Sequence, residues 1–368
     1  MKKVVTLGGV MRDVFIEYEA VQMLHLQGQQ EQSFILLEEG RKIPVKNVAY
    51  HVGGGAANSA VSFSRLGLEV ETIFKIGDDL EGAYILNELK KEKISTQHVV
   101  HSKDQRTGTS FIIPASDGNK AALVYRGANL TLGQQEIPWK ILSTADQIYV
   151  TSLSSQASQL LLPITTFAKN HAKSVAVNPG GSQLLEGACT LRDCLPNIDI
   201  LILNSIEAKQ FMLSLVQTTP ALQKILLSRP KTKSENHFPQ LLQAPLTYQQ
   251  ICFSFPQYFH EILSRGPKIV VVTNGAEGVY VATKDTIYFY PSLPCAIVST
   301  MGAGDAFGST FVATLLEGKP LEHALVAGII NSCSVIQHLG TQTGLLSKKE
   351  LESLLGKADM GLLQKFKL

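Results

Sequence analysis

A glycine-rich turn in the last quarter of the chain has the residue types of an anion site. Gly302-Ala303-Gly304-Asp305 leads directly into residues 306–316, whose apolar side chains recur at helical spacing. The first backbone N–H groups of a helix have no partner within it, and the helix dipole adds partial positive charge. Glycines also let a phosphate approach the backbone closely. The pattern therefore indicates an anion site at the start of a helix.

The carboxylate of Asp305 would lie beside an anion bound at this turn. It can act there as a general base that accepts a proton from an attacking hydroxyl group, while the amides of residues 302–304 hold phosphoryl oxygens. Its position at a helix N-terminus predicts a lowered pKa. The same residues also fit a tight turn whose acidic residue only stabilises the helix.

A second glycine-rich turn, Gly53-Gly54-Gly55-Ala56-Ala57-Asn58, also leads into a predicted helix. It is not a dinucleotide-binding fingerprint, because Asn58 stands where the third glycine should be. No G-x-x-x-x-G-K-[ST] motif occurs in the sequence, which excludes a P-loop. Asp13 follows the first predicted strand, at the edge where open α/β sheets bind ligands.

Asn204 and Glu207 follow a predicted strand and are one helical turn apart. An amide and a carboxylate at this spacing suit an Mg²⁺ ion that is held mainly through its waters beside substrate phosphates. The alternative is a helix cap formed by Asn204 with Glu207 three residues later. The two interpretations are compatible.

Short apolar runs rich in β-branched residues alternate with segments of helical periodicity, which is typical of parallel strands joined by helices. The predicted strands are Val4–Gly8, Val70–Ile76, Gln147–Val150, Ser174–Asn178, Ile200–Leu203, Ile269–Thr273 and Val279–Ala282. The predicted helices are Asn58–Leu66, Gly82–Lys91, Ser158–His171, Ser205–Leu213, Ala306–Leu316 and Leu321–His338.

Two segments interrupt this alternation and predict a separate small sheet. Residues 14–50 and 108–126 contain apolar alternation broken by turn residues, so we expect an antiparallel sheet suited to a lid, with a pair of surface hairpins as the alternative. The body then comprises residues 1–13, 51–107 and 127–368. Residues 216–255 are rich in Thr, Pro, Gln and Ser and predict an insertion with one or two short helices.

The composition is that of an ordinary globular protein. The chain has 368 residues, is 45% hydrophobic and 17% charged, and carries a formal net charge of +2. We therefore expect no nucleic-acid partner, and no apolar run is long enough to span a membrane. The five cysteines are an odd number and form no C-x-x-C pair, so we expect free thiols in a reducing cytoplasm.

The ordered set of motifs resembles the ribokinase-like (PfkB) family of carbohydrate kinases. The set comprises Asp13, Gly53 to Asn58, Gly77-Asp78-Asp79-x-x-Gly82, Arg126-Gly127-Ala128-Asn129, Asn178-Pro179, Asn204-x-x-Glu207, Thr273-Asn274-Gly275-x-x-Gly278 and Gly302 to Phe307. The resemblance covers nearly the whole chain, with residues 216–255 as the main unmatched segment.

The resemblance implies a doubly wound α/β fold with a β-sheet lid, and transfer of the ATP γ-phosphoryl group to a primary alcohol with Mg²⁺. It implies that Asp305 is the base, that residues 302–304 form the anion hole, and that Asn204 and Glu207 organise Mg²⁺. The implied acceptor-side residues are Asp13, Gly53, Gly54, Asn58 and Arg126. The implied nucleotide-side residues are Asn204, Thr273, Gly275, Gly278 and Asn331.

The chain departs from the family pattern near both glycine turns. Ser299-Thr300-Met301 replaces the usual Asp-Thr-Thr or Asp-Thr-Asn, which leaves open whether the monovalent cation site of the family exists here. Gly55 replaces the lysine that ribokinases proper carry at the acceptor turn. The identity of the acceptor is therefore open at this point.

Three functions remain as hypotheses, and each expects a small-molecule ligand. The first is a sugar kinase of the ribokinase or fructokinase type. The second is a nucleoside kinase of the same fold, with stacking residues drawn from Phe15, Tyr18, Phe34 and Phe111, which the core of the lid explains equally well. The third is a catalytically silent metabolite-binding protein. Exposed lid strand edges would also suit a homodimer.

Overall fold

A computed structural model of the chain describes residues 1–18, 22–26, 32–114, 120–185, 188–218, 238–243, 245–249 and 251–368. Its strands are β1 Lys3–Leu7, β2 Met11–Tyr18, β3 Gln22–Leu26, β4 Gln32–Leu36, β5 Val45–Gly53, β6 Glu69–Ile73, β7 Lys75–Gly77, β8 Val100–Ser102, β9 Thr109–Pro114, β10 Lys120–Tyr125, β11 Gln147–Val150, β12 Ser174–Val177, β13 Ile200–Asn204, β14 Leu246–Tyr248, β15 Ile251–Phe253, β16 Ile269–Thr273, β17 Gly278–Ala282, β18 Thr286–Pro291 and β19 Gln364–Lys367. Its helices are α1 Gly55–Arg65, α2 Leu80–Lys91, α3 Trp139–Thr144, α4 Leu161–Asn170, α5 Gly181–Leu185, α6 Ala188–Cys194, α7 Ser205–Thr218, α8 Gln240–Gln243, α9 Phe255–Leu263, α10 Ala303–Leu316, α11 Leu321–Ile336 and α12 Lys348–Leu355.

The central sheet has nine strands in the order β19-β18-β17-β16-β13-β12-β11-β1-β6. The strands from β6 to β16 run parallel, whereas β17, β18 and β19 extend the other edge in antiparallel pairs. All seven predicted strands contribute to this sheet, and six of them run parallel, as expected for runs of Val and Ile that are buried on both faces. The seventh, Val279–Ala282, is antiparallel to its neighbour because a short turn, and no helix, joins it to β16. The predicted strand Val70–Ile76 is divided in two, since β7 pairs with β8 instead.

Helices cover both faces of this sheet, as the doubly wound prediction requires. One core contains buried side chains of α1, α2, α10 and α11. The other contains those of α4, α6, α7 and α9. No described helix has the length and apolar character that a membrane crossing requires.

A second sheet has the order β10-β9-β2-β5 and is called the lid sheet below. It differs from the antiparallel sheet expected from the sequence, because β2 and β9 are parallel. Both strands begin beside the body, after Val10 and Gly108, and therefore run in the same direction. Residues 33–36, part of the segment 14–50 that is predicted to form the lid, do not join this sheet, since β4 pairs with β3 in a separate hairpin.

The predicted insertion 216–255 is described only in part. Its residues 219–237, 244 and 250 lie outside the described residues. The described part contains the end of α7, the short helix α8 and a hairpin of β14 and β15.

Candidate active site

The N-terminus of α10 has no side-chain cap. Its N-cap residue, Gly302, has a left-handed conformation with φ of 77°, which glycine adopts without strain. A β-carbon at this position would lie 2.9 Å from the β-carbon of Thr341. A β-carbon on Gly304 would instead have no heavy atom within 4 Å. The first turn, which also contains Ala303, therefore opens onto free space and keeps its N–H groups for a ligand.

Asp305 lies in the same first turn and is held by a chain of hydrogen bonds. The Nδ2 of Asn58 donates to its Oδ2 at 2.8 Å. The Oδ1 of Asn58 in turn accepts from Oγ1 of Thr341 at 2.8 Å and from Nε2 of Gln342 at 3.1 Å. These contacts join α1, α10 and the loop after α11, so that they fix the orientation of the Asp305 carboxylate.

Burial raises the pKa of Asp305, and the hydrogen bond from Asn58 opposes this shift without cancelling it. This direction is opposite to the lowered pKa expected from the helix position. Removal of a carboxylate from water disfavours its charged form, and the sequence does not reveal that removal. A raised pKa makes the carboxylate a stronger base, which suits it to accept a proton.

Asp13 provides a second buried carboxylate in the same region. It lies on β2 opposite Ser110 of β9, its exposed fraction is 2%, and the hydroxyl of Ser110 donates to its Oδ1. Burial raises its pKa to about 6, the Asp305 charge adds to the shift, and Ser110 and the Lys120 ammonium oppose it. A β-carbon on Gly53 would overlap the Asp13 carboxylate, so only glycine fits there.

The second glycine turn packs against the strand ends of the body. Gly54 has φ of 92°, and a β-carbon on it would lie 2.4 Å from the carbonyl oxygen of Gly9. A β-carbon on Gly55 would lie 2.8 Å from that of Thr151 and 3.3 Å from Oδ1 of Asp305. The structure thus brings together around Asp305 the predicted acceptor-side residues Asp13, Gly53, Gly54 and Asn58.

Arg126 is placed differently from the other predicted acceptor-side residues. Its side chain is exposed, and its carbonyl oxygen accepts a hydrogen bond from Nδ2 of Asn129 at 3.1 Å. The binding of substrate by the Arg126 side chain therefore stays a prediction.

The start of α7 lies near Asp305 and is capped by the side chains of Asn204 and Glu207. Oδ1 of Asn204 accepts from the backbone N–H groups of Ile206 and Glu207 at 3.0 and 2.9 Å. Oε2 of Glu207 accepts from the backbone N–H of Asn204 at 2.8 Å. The helix cap considered from the sequence is therefore present. Both side chains also line a cleft of about 180 Å³ that contains Thr273 and Asp305.

The donor set around this cleft fits a hydrated Mg²⁺ ion. Within the part of the chain that the structure describes, no cluster of three or more His, Cys, Asp or Glu side chains could hold a metal ion. A divalent cation here would take most of its ligands from water and phosphate, as Mg²⁺ commonly does. Glu207 could face such an ion through water, since its Oε2 is used in the cap. Burial raises the pKa of Glu207, and the Asp305 charge adds to this.

A larger cleft of about 390 Å³ lies on the other side of the α10 N-terminus. Its wall includes Thr273, Gly275 and Gly278, three of the residues that the resemblance assigns to the nucleotide side. Gly278 has φ of 136°, and a β-carbon on it would lie 2.3 Å from the carbonyl oxygen of Tyr290. The remaining wall is mainly apolar and includes Ala276, Val279, Leu293, Pro294, Ile297, Phe307, Ile329 and Ile336.

Asn331, which is predicted to lie on the nucleotide side, does not line this cleft. Its exposed fraction is 0%, its Nδ2 donates to Oγ1 of Thr310 at 2.6 Å, and its Oδ1 accepts from the backbone N–H of Leu346 at 2.9 Å. The side chain therefore ties α11 to α10 and to the loop before α12. The next two residues of α11, Ser332 and Cys333, line the cleft instead.

Sequence reasoning missed several side chains beside the two carboxylates, namely Ser110, Lys120, Thr151, Thr341 and Gln342. Their residue types are common, and each reaches the site from a segment distant along the chain. Only Ser110 could have been found from the sequence, because the alternation of side chains along a strand places it on the opposite face from Phe111.

A family model described as pfkB family carbohydrate kinase matches residues 1–233 and 255–349. Ribokinase of Staphylococcus aureus (strain COL) is 26% identical over 360 residues, which cover 96% of this chain and 99% of that protein.

Solved structures share the fold at lower identity. Arabidopsis thaliana ribokinase complexed with ribose and ATP aligns with a TM-score of 0.71 and 20% identity over 96% of this chain and 99% of that one. A Burkholderia thailandensis nucleoside kinase in complex with inosine aligns with a TM-score of 0.70 and 17% identity, over 96% of this chain and 98% of that one. With the family model matched along both segments, the chain belongs to the pfkB family of carbohydrate kinases.

Proposed function

We propose that this kinase transfers the γ-phosphoryl group of ATP to a primary hydroxyl of a sugar or sugar-like molecule in the cytoplasm, with Asp305 as general base. The observation that carries the proposal is the position of Asp305. It lies in the first turn of an uncapped helix, lines the cleft of about 180 Å³, and is close enough to Asp13 for its charge to raise the Asp13 pKa. The residues just before it, Ala303 and Gly304, line the apolar cleft of about 390 Å³. The similarity to ribokinases supports the choice of acceptor.

The acceptor would lie between Asp13 and Asp305 with its primary hydroxyl hydrogen-bonded to Oδ1 of Asp305. That oxygen accepts the hydroxyl proton as the oxygen attacks the γ-phosphorus of ATP, and the bond to the β-phosphate oxygen breaks to release ADP. The N–H groups of residues 302–304 stabilise the charge on the transferring phosphoryl oxygens. The Asp13 carboxylate accepts hydrogen bonds from other acceptor hydroxyls and orients the sugar.

The adenine of ATP would occupy the apolar cleft of about 390 Å³, with the polyphosphate directed to the start of α10. Asn204 and Glu207 would hold Mg²⁺ through its waters, and the bound ion neutralises charge on the phosphates. Thr273 lines both clefts, and we place it beside the polyphosphate.

An acceptor screen tests the proposal. ADP release is measured with ATP, Mg²⁺ and a panel of pentoses, hexoses, sugar acids and nucleosides, with Na⁺ or K⁺ as the monovalent ion. We expect turnover with a sugar that has a free primary hydroxyl, and no turnover when that hydroxyl is replaced by hydrogen. Binding of both ATP and a sugar without ADP formation would instead establish a silent metabolite-binding protein.

A nucleoside acceptor is the second candidate, and one aromatic side chain favours it. Phe15 lies on the Asp13 face of the lid sheet, is buried, and meets the His51 ring edge-on at a centroid distance of 5.3 Å. Phe111 alternates to the opposite face, and Phe34 belongs to the separate hairpin. If the acceptor is a nucleoside, Phe15→Ala raises its KM much more than the KM for ATP.

We further propose that two copies of the chain pair through the outer face of the lid sheet. The cross-strand register places Val48, Tyr50, Phe111, Leu123 and Tyr125 on that face, and all are exposed apolar side chains. Such a patch is typical of an interaction surface. Light scattering should give a dimer that Leu123→Asp converts to a monomer, whereas Leu162→Asp on α4 should not.

A further inference from the structure

Two cysteines lie together in the wall of the larger cleft. Cys295 and Cys333 both line it, and both are free and partly buried. The backbone N–H of Val298 donates to the carbonyl of Ile336 at 2.8 Å, three residues beyond each cysteine, so the loop of Cys295 lies against the helix of Cys333. Two thiols on neighbouring segments can form an intramolecular disulfide when the backbone permits the bond geometry. The pair is therefore a chemical site of its own within the cleft.

The two cysteines lie on backbone segments of different rigidity, a helix for Cys333 and a loop for Cys295. Cys333 is in the last third of α11 and is fixed by the helix. Cys295 lies midway in the loop between β18 and α10. Backbone hydrogen bonds anchor this loop on both sides of Cys295, from Ser292 to Glu277 at 3.2 Å and from Val298 and Ser299 to Ile336 at 2.8 and 3.1 Å. Cys295 can therefore move toward Cys333 without unfolding either anchor.

The two thiols can take different roles because their surroundings differ. Cys295 lies in a loop between the exposed residues Pro294 and Ala296. Cys333 lies on a helix, and burial and the neighbouring Cys295 raise the pKa of its thiol to about 12. A small disulfide therefore reaches Cys295 first, which makes Cys295 the first nucleophile and Cys333 the resolving thiol.

We propose that Cys295 and Cys333 form a dithiol modification site for small organic disulfides such as oxidised glutathione, and that the resulting Cys295–Cys333 disulfide excludes nucleotide from the cleft. The Cys295 thiolate attacks one sulfur of oxidised glutathione and releases one glutathione thiolate, which leaves a mixed disulfide. Cys333 then attacks the Cys295 sulfur, the bond between Cys295 and glutathione breaks, and the Cys333 proton passes to the departing glutathione sulfur. The protein thiols lose two electrons in total, and the glutathione disulfide gains them.

Exclusion of nucleotide follows from where the bond forms. A disulfide would hold the loop after β18 against α11, across the cleft in which we place adenine. This step rests on the proposed function, since it requires that the cleft bind ATP. Bound nucleotide should conversely separate the thiols from solvent and slow the reaction.

The test uses the full-length protein, reduced and then treated with oxidised glutathione. Thiol titration and intact mass should show the loss of two thiols without an attached glutathione. ATP affinity measured by calorimetry should fall about tenfold or more and recover with dithiothreitol. Prior addition of ATP should slow the loss of thiols.

Variants identify the two sulfur atoms. Cys333→Ser should stop at a single glutathione adduct, Cys295→Ser should form neither adduct nor disulfide, and Cys252→Ser should react as the unchanged protein does. Each variant is compared with itself before and after oxidation, because both cysteines line the cleft.

Two outcomes overturn the proposal: Cys295 and Cys333 both remain titratable after treatment of the nucleotide-free protein, or the disulfide form binds ATP as tightly as the reduced form. Failure of the reduced protein to bind ATP would refute the proposed function and the exclusion of nucleotide. The mass measurement would still decide whether the dithiol reacts.

Discussion

Two helices, α7 and α10, begin at the same cleft, and their first turns are built in opposite ways. In α7, Asn204 and Glu207 accept hydrogen bonds from backbone N–H groups of the first turn and the cap residue. In α10, the cap residue Gly302 has no side chain to serve this purpose. Each turn contains one acidic side chain, Glu207 in α7 and Asp305 in α10, and burial raises the pKa of both.

The difference determines what each helix can offer a ligand. The α7 turn has used its amides internally, so it can contribute mainly the remaining carboxylate oxygen, Oε1 of Glu207, which suits a hydrated cation. The α10 turn leaves its amides available, which suits a phosphate. The absence of a cap therefore distinguishes α10, which we propose to bind phosphate, from α7, whose first turn is also acidic.

The largest expected effect is the loss of the α10 carboxylate. Asp305→Asn removes the proton acceptor but keeps the shape, so kcat should fall by about 10² to 10⁴ fold. The nucleotide dissociation constant should change little. Steady-state ADP release and calorimetry check both. Asp285→Asn, in an exposed turn, serves as the control, and substantial residual turnover in Asp305→Asn would refute the base assignment.

The second prediction concerns Asp13, the buried carboxylate that lies near Asp305. Because its pKa is about 6, kcat/KM should decrease as the pH falls below about 6, when the carboxylate becomes protonated. Asp13→Asn should lower kcat/KM at pH 8 by about 10 to 100 fold, since hydrogen bonds to a charged acceptor are lost. A pH profile of both proteins checks this.

The same shift predicts a stability effect of opposite sign. Folding raises the Asp13 pKa from 3.8 to about 6, so the folded state binds the proton more tightly. Its stabilising contribution is present below pH ~4 and is lost as the pH rises through about 6. Asp13→Asn should therefore raise the free energy of unfolding at pH 8 by up to about 3 kcal/mol, as urea unfolding at pH 5 and pH 8 would show.

The third prediction separates structure from chemistry within the α10 turn. Gly302→Ala forces a left-handed residue and a contact with Thr341, so the free energy of unfolding should fall by about 1 to 3 kcal/mol. Gly304→Ala has open space and should keep or slightly increase stability. It places a methyl group in the cleft, however, so the KM for ATP should rise. Equal stability losses in the two variants would contradict this view of the turn.

The smallest effects are expected at α7. Glu207→Gln keeps a side chain that can cap the helix, so stability should be unchanged, while the Mg²⁺ concentration for half-maximal activity should rise about tenfold. Asn204→Ala should cost about 1 kcal/mol of unfolding free energy. A magnesium titration and urea unfolding check the pair. An unchanged magnesium requirement in Glu207→Gln would leave the helix cap as the function of this residue.

The fold followed from local sequence more completely than the site did. The central strands were predictable because buried Val and Ile runs such as Val270–Val272 have few alternatives to a parallel sheet. The sequence did not predict which side chains of α11 line the cleft. Consecutive residues of a helix are separated by about 100° of rotation, and the sequence does not show that the face with Asn331 meets α10. The pKa of Asp305 was given the wrong direction because its burial depends on residues from distant segments.

The chain of hydrogen bonds through Asn58 has a stereochemical consequence. Because the Oδ1 of Asn58 receives donors from Thr341 and Gln342, its amide group must point at Oδ2 of Asp305. Oδ1 of Asp305 does not receive this hydrogen bond, and it is the oxygen that we propose accepts the proton. The direction from which an acceptor hydroxyl would approach then depends on a threonine 283 residues away from Asn58 in the chain.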